Sequence, residues 1–148
     1  MVGKLARWLR VLGVDVMFDT SLDDHQLVAL ARSENRNLLT RDHPLAFGSS
    51  EPPRLFIESD DFREQLRQVV DTYRINPGRD AFTRCMDCNA VLESVSRGEA
   101  LDKVPPYVFS TQSQFKRCPT CDKILWGGTH RSHMQDMLAG IFAKNEGP

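Results

Sequence analysis

Arg84-Cys85-Met86-Asp87-Cys88-Asn89-Ala90-Val91-Leu92 and Arg117-Cys118-Pro119-Thr120-Cys121-Asp122-Lys123-Ile124-Leu125 follow one pattern. In each, a basic residue leads into a C-x2-C pair. Asn or Asp follows, a residue that tolerates positive φ, and then an apolar run. This is how a zinc knuckle is made: the turn brings two thiolates onto one ion, and the run after it predicts a strand. Two knuckles supply four sulfurs, Cys85, Cys88, Cys118 and Cys121, the closed tetrahedral set of a structural zinc site. Stable disulfides are not expected, because no secretory signal precedes the cysteines. A thioredoxin-like redox motif needs its C-x2-C between a strand and a helix, and neither pair sits there. The 29 residues between the pairs exceed the usual ~15–20. A hairpin between the knuckles is expected to absorb the excess.

Working outward, 148 residues fit one domain or two small ones. The composition, 41% hydrophobic and 26% charged, is that of a soluble globular protein. No apolar run approaches the ~20 residues that span a membrane. With no targeting motif at Met1-Val2-Gly3-Lys4, a cytoplasmic protein is the default expectation. Net charge is −1 but unevenly spread. Residues 14–73 carry twelve acids against six bases, whereas residues 1–13 carry Lys4, Arg7 and Arg10 and no acid. A nucleic acid would be repelled by the acidic segment unless metal ions or the flanking bases offset it.

Before the cysteines, hydrophobic periodicity predicts alternating helices and strands. Leu5, Trp8, Leu9 and Leu12 form the stripe of a helix over residues 3–12, with Gly13 at its C′ position. Val14 to Phe18 predicts a strand ending at Asp19. Ser21 or Asp23 caps a helix near residues 24–33. Asn37 to Thr40 predicts a second strand, residues 48–54 a loop, and Leu55 to Ile57 a third strand. Ser59 caps a longer helix with Phe62, Leu66, Val69, Val70 and Tyr73 inward. Such alternation implies an α/β domain, a parallel sheet covered by helices, over residues 1–75. The pattern stops around Asn76-Pro77-Gly78. A zinc ribbon with a C-terminal helix is expected over residues 82–142. Within it, Val104 to Phe109 reads as an extended edge element. Thr129 or Ser132 caps the last helix, and residues 144–148 form a frayed end.

Ligands of parallel sheets bind at the carboxyl ends of the strands. Here those ends carry Asp19, Asp42 and the Asp60-Asp61 pair, and Asp24 opens the helix after the first predicted strand. Gathered carboxylates repel one another unless a divalent cation joins them, and hard oxygen ligands suit Mg²⁺ or Mn²⁺. For Asp23, Asp60 and Asp61 helix capping is the competing role. Asp42 follows an apolar strand and precedes His43-Pro44, so its charge is expected to point into a cleft. Arg41 beside it is a phosphate candidate. Lys4, Arg7 and Arg10 are either phosphate contacts or a solvated helix face.

Several segments together resemble the Mut-7 C-terminal RNase domain family, PIN-like nuclease domains joined to a zinc ribbon. They are Gly3 to Arg10, Leu12-Gly13, Asp15, Asp23-Asp24, Leu38 to Asp42, Ser59-Asp60-Asp61 with Gln65-Leu66, both cysteine pairs, Val104-Pro105-Pro106, and Trp126-Gly127 with Thr129-His130. The resemblance covers roughly residues 2–140. Asp24, Ala31 and Asp42 also reproduce a spacing of PIN-domain toxins. The resemblance implies Mg²⁺ or Mn²⁺ binding by Asp24 and Asp42, with Asp60 or Asp61 assisting, and metal-dependent hydrolysis of RNA. In that family a strand ending in a catalytic Asp precedes the Met-Leu-Gly-Lys segment, whereas here the chain begins at Met1-Val2-Gly3-Lys4. The expectation is that this strand lies upstream of Met1 or, in a degenerate relative with a weakened site, is gone. A binding module whose ribbon makes the contacts, through Arg84, Lys116, Arg117 and Lys123, is the alternative to an enzyme.

Overall fold

A computed structural model describes residues 2–48 and 51–143. Residues 49–50 of the expected loop and the expected frayed end at 144–148 lie outside the described residues. The chain divides into two compact units. The segment up to Trp8 joins Val16–Ile75 in the first, and Leu9–Asp15 joins the residues from Asn76 onward in the second.

The first unit contains most of α1 (Val2–Val11), then α2 (Asp24–Ser33), β1 (Leu38–Thr40), α3 (His43–Phe47), β2 (Arg54–Phe56) and α4 (Phe62–Tyr73). β1 and β2 pair in parallel, with Leu38 opposite Arg54 and Thr40 opposite Phe56. The ladder runs one step further, since the Ile57 amide donates to the Thr40 carbonyl at 2.8 Å. Ala31, Leu38, Ile57, Leu66, Val69 and Val70 are buried in this unit. Trp8 stacks on Phe62 with ring centroids 5.8 Å apart.

The helix ends follow from local chemistry. Asp23 caps α2 in a reciprocal box: its carboxylate accepts from the Gln26 amide at 2.8 Å, and the Gln26 side chain accepts from the Asp23 amide at 2.9 Å. Asp23→Ala should therefore cost about 1 kcal/mol of the first unit's stability in a thermal melt. Asn35, at φ 54°, closes α2 in the left-handed region. α4 is capped by Asp61 rather than Ser59. The Asp61 carboxylate accepts from the Arg63 amide, while the Ser59 hydroxyl accepts from the Asp61 amide.

Val14 to Phe18 is not a strand. The Val14 amide bonds to the Leu9 carbonyl, and the Gly13 amide to that of Arg10, closing α1 in a Schellman turn. Met17 and Phe18 are exposed, and no described strand runs beside the segment to take up a ladder. α3 was not anticipated: at five residues it is too short to show a period, and Asp42 with Pro44 is its only sequence signal.

The second unit contains β3 (Glu93–Val95), α5 (Arg97–Ala100), α6 (Pro106–Thr111), β4 (Phe115–Arg117), β5 (Ile124–Trp126) and α7 (Thr129–Phe142). Its antiparallel sheet has the order β3-β4-β5. The long spacer is absorbed by two short helices between β3 and β4, not by a hairpin. Val104 to Phe109 turns helical at Pro106, because proline suits the first helical position. The turn buries Val108 with Ala100, Val104 and Phe115 in a small apolar cluster. Arg97 pins the insertion: its guanidinium lies 4.2 Å from the Phe109 ring centroid and donates to the Phe109 and Gln112 carbonyls. α7 starts after Gly128 without a side-chain cap, so neither Thr129 nor Ser132 holds that place. Among the described residues no helix is long and apolar enough to cross a membrane.

Candidate metal centre and acidic strand edge

The two knuckles fold alike because their sequences are alike. The Asn89 and Asp122 amides donate back to the Cys85 and Cys118 carbonyls at 2.9 and 2.8 Å. The Cys85 and Cys118 amides donate to the Ala90 and Lys123 carbonyls at 2.8 and 3.0 Å. Asn89 and Asp122 hold φ values of 76° and 56°, the left-handed geometry their residue types tolerate. The four sulfurs lie within 4.8 Å of one another. Cys88 and Cys118 are 3.3 Å apart, Cys85 and Cys121 4.0 Å. Thiolates on a tetrahedral zinc at ~2.3 Å would sit ~3.8 Å apart, so the cage fits the ion.

The cage is electrically uneven without metal. Burial lifts the Cys118 thiol, but donors from the Cys121 amide and the Cys88 side chain outweigh it and bring Cys118 down to about 7. Cys121 is pushed up to about 12, chiefly by its hydrogen bond with Cys88. Lys123 of the second knuckle pairs with Asp87 of the first. Neither His130 nor His133 belongs to the ligand group.

Arg10 supports the first knuckle and is withdrawn from the candidate phosphate contacts. It is only 7% exposed, and its guanidinium donates to the Met86 and Asp87 carbonyls at 3.2 Å. Nearby, Arg84 donates to the Gly13 carbonyl at 3.2 Å, and Asn89 to the Asp15 carboxylate at 2.7 Å. Sequence reasoning missed these supports, which span more than seventy residues.

In the first unit, Asp42 follows β1, and Asp60-Asp61 follow β2. The strands are parallel, so both segments leave the same sheet edge. One Asp42 oxygen accepts from the Leu45 amide at 3.2 Å, and the Asp42 amide donates to the Thr40 hydroxyl at 2.9 Å. Asp24 is exposed in the first turn of α2, and Asp60 is exposed ahead of α4. Among the described residues, the cysteines form the only set of three or more potential ligand atoms gathered this closely; the aspartates form none. Lys4 is exposed, with its ammonium 4.0 Å from the Phe62 ring centroid; Arg7 is exposed as well.

Two interior polar side chains hold the turn after β2. Arg41 donates to the Ile57 carbonyl at 3.2 Å, and Gln65 to the Ser59 carbonyl at 2.8 Å. Gln65 is fully buried. Arg41 Nε and Gln65 Oε1 have no hydrogen-bond partner among the described residues. Such orphaned atoms are uncommon in folded proteins.

The family model of the Mut7-C RNAse domain matches residues 1–138, nearly the whole chain. The chain belongs to the Mut7-C RNAse domain family. No curated protein and no solved structure matches it. The match spans both the acidic edge and the cysteine cage.

Proposed function

We propose that this Mut7-C chain is a ribonuclease that hydrolyses RNA phosphodiester bonds with Mg²⁺ or Mn²⁺, while a structural zinc holds the ribbon. One observation carries it: in a chain of an RNAse-domain family, Asp42 and Asp60-Asp61 follow the carboxyl ends of two paired parallel strands. Asp24 and Asp42 are the metal ligands, and Asp60 or Asp61 assists. Mg²⁺ needs only one or two protein carboxylates when substrate phosphate and water complete its shell, so a closed set of three is not required. The bound ion would supply an activated water and stabilise the leaving oxygen. Gln65 keeps Asp60-Asp61 in place through the Ser59 carbonyl. Arg41, beside Asp42, meets a phosphate, and Lys4 and Arg7 add positive charge for the strand.

Asp42→Asn is the decisive variant. Asn caps a helix about as well as Asp, so α3 should persist while the ligand charge is lost. Mn²⁺-dependent cleavage of a labelled single-stranded RNA should fall at least ~100-fold, the scale of losing one electrostatic element of a catalytic site. Unchanged cleavage would remove Asp42 from the site. The dispersal of the aspartates favours a second reading, a non-catalytic RNA-binding module with a vestigial acidic edge. It predicts RNA binding with no cleavage at any Mn²⁺ concentration.

A further inference from the structure

The second unit contains a cavity of about 510 Å³. One side is formed by β4 and β5, another by the start of α7, and others by Gln112 to Gln114, by Val11 and by side chains in and around the first knuckle. Its volume falls within the ~300–1,000 Å³ of small-ligand sites. Among the described residues Arg84, Lys116 and Arg131 line it, and no Asp or Glu does. In a chain whose acids outnumber its Lys and Arg by 20 to 19, a wall with three fixed cations and no acid is complementary to an anion.

The charges are available. Four bases of the ribbon are candidates for contact, and the structure sorts them. Arg117 pairs with Glu93 and Asp122, at 3.0 and 3.3 Å, and Lys123 pairs with Asp87. Among the described residues Arg84 and Lys116 bond to backbone carbonyls and to no carboxylate, which leaves their charge uncompensated there. Arg131 lies 4.4 Å from the Phe82 ring centroid. That contact fixes the guanidinium over an apolar surface and leaves its N–H fork for a phosphate.

The remainder of the wall suits a flat, partly apolar group. Trp126, 37% exposed, lines the cavity beside Gly127 and Gly128. A Cβ at Gly127 would approach the Arg131 guanidinium to 3.3 Å, and one at Gly128 would approach the indole to 3.4 Å. The glycines thus leave room for the cation and the ring side by side. Gln112 and Gln114 add amides that can pair with the edge of a base.

We propose that this cavity binds a segment of single-stranded RNA, its phosphates on Lys116, Arg131 and Arg84 and one base stacked on Trp126. The choice of RNA rests on the reading of the chain as an RNA-processing protein. The site shares no residue with the acidic edge.

The test uses the zinc-loaded full chain and a labelled decauridylate, with no added divalent ion so that cleavage does not intervene. Lys116→Glu combined with Arg131→Glu should weaken binding at least ~30-fold and flatten the salt dependence by ~1.4 in log–log slope, two phosphate contacts' worth. Trp126→Ala should weaken it roughly tenfold. In a Trp8→Phe background, the oligonucleotide should quench Trp126 emission. If the charge reversals cost the fold, seen as lost zinc, Arg131→Gln carries the same test with an expected ~5-fold effect.

Unchanged affinity in these variants, or unquenched Trp126, overturns the inference. So does a cavity that binds an oligoglutamate peptide in preference to the RNA. Cleavage that depends on Asp42, with binding indifferent to the ribbon variants, would sink the cavity and leave the nuclease standing. Binding lost in the ribbon variants, from a chain that never cleaves, would do the reverse.

Discussion

Cys118→Ser should leave the protein with well under one zinc per chain and the second unit unfolded, while the first unit keeps its helical signal. Structural zinc in comparable knuckles supplies roughly 10–16 kcal/mol of apparent binding free energy, and that is folding free energy because the cage does not exist in the unfolded chain. The unit has little to replace it. It comprises roughly eighty residues, and one of its buried apolar clusters is only Ala100, Val104, Val108 and Phe115. Cys118 itself is completely buried and bonds to the Cys121 amide, so its loss also frees the second knuckle's turn. Metal analysis and limited proteolysis check this. A Cys118→Ser protein that retains zinc and resists protease would show the cage to be dispensable.

Gly13→Ala should be the most damaging change outside the knuckles themselves, at about 2–5 kcal/mol. Gly13 sits at φ +88°, where a Cβ costs ~1–2 kcal/mol by itself. That Cβ would also lie 2.2 Å from the Asp80 carbonyl oxygen, backbone that cannot swing aside as a side chain can. The strain would reach the ribbon directly, because the Gly13 carbonyl accepts from Arg84 and the neighbouring Val11 carbonyl from the Phe82 amide. Zinc release into a chromogenic chelator should therefore reach its midpoint at a lower urea concentration. Gly78→Ala is the control: its Cβ would meet nothing nearer than 3.9 Å and its φ is ordinary, so its midpoint should hardly move.

What the sequence made legible was local. Each knuckle turn is specified within nine residues, down to the positive φ at Asn89 and Asp122, but the strand expected of the run after the first knuckle begins only at Glu93. The Schellman close at Gly13 and the parallel pairing of the segments around Leu39 and Leu55 were readable for the same reason. The strand expected at Val14 to Phe18 failed because alternation speaks to one chain only, whereas a ladder needs a neighbour. The edge element expected at Val104 to Phe109 failed because Pro105-Pro106 fits a helix start as well as an edge, and burial of Val108 against Phe115 decided it. At the acidic edge, spacing brought out Asp42 and Asp61; the capping role weighed for Asp61 is the one it takes at α4, whereas the cap that Asp42 provides escaped notice because α3 is too short to show a period. Nor could spacing reveal that a glutamine, Gln65, is buried behind them. Arg10 was the hardest to foresee, since its partners lie more than seventy residues away.

That same arginine bears on how such a chain can be cut and joined. The first cysteine turn leans on residues 10–15, which are separated from it in the chain by Val16–Ile75 of the acidic unit. A ribbon excised at residue 76 would leave these supports behind. In gene fusion or recombination, the four-cysteine module is therefore not a transferable cassette: its inheritance is tied to the opening turns of the first helix, and the two halves must travel together.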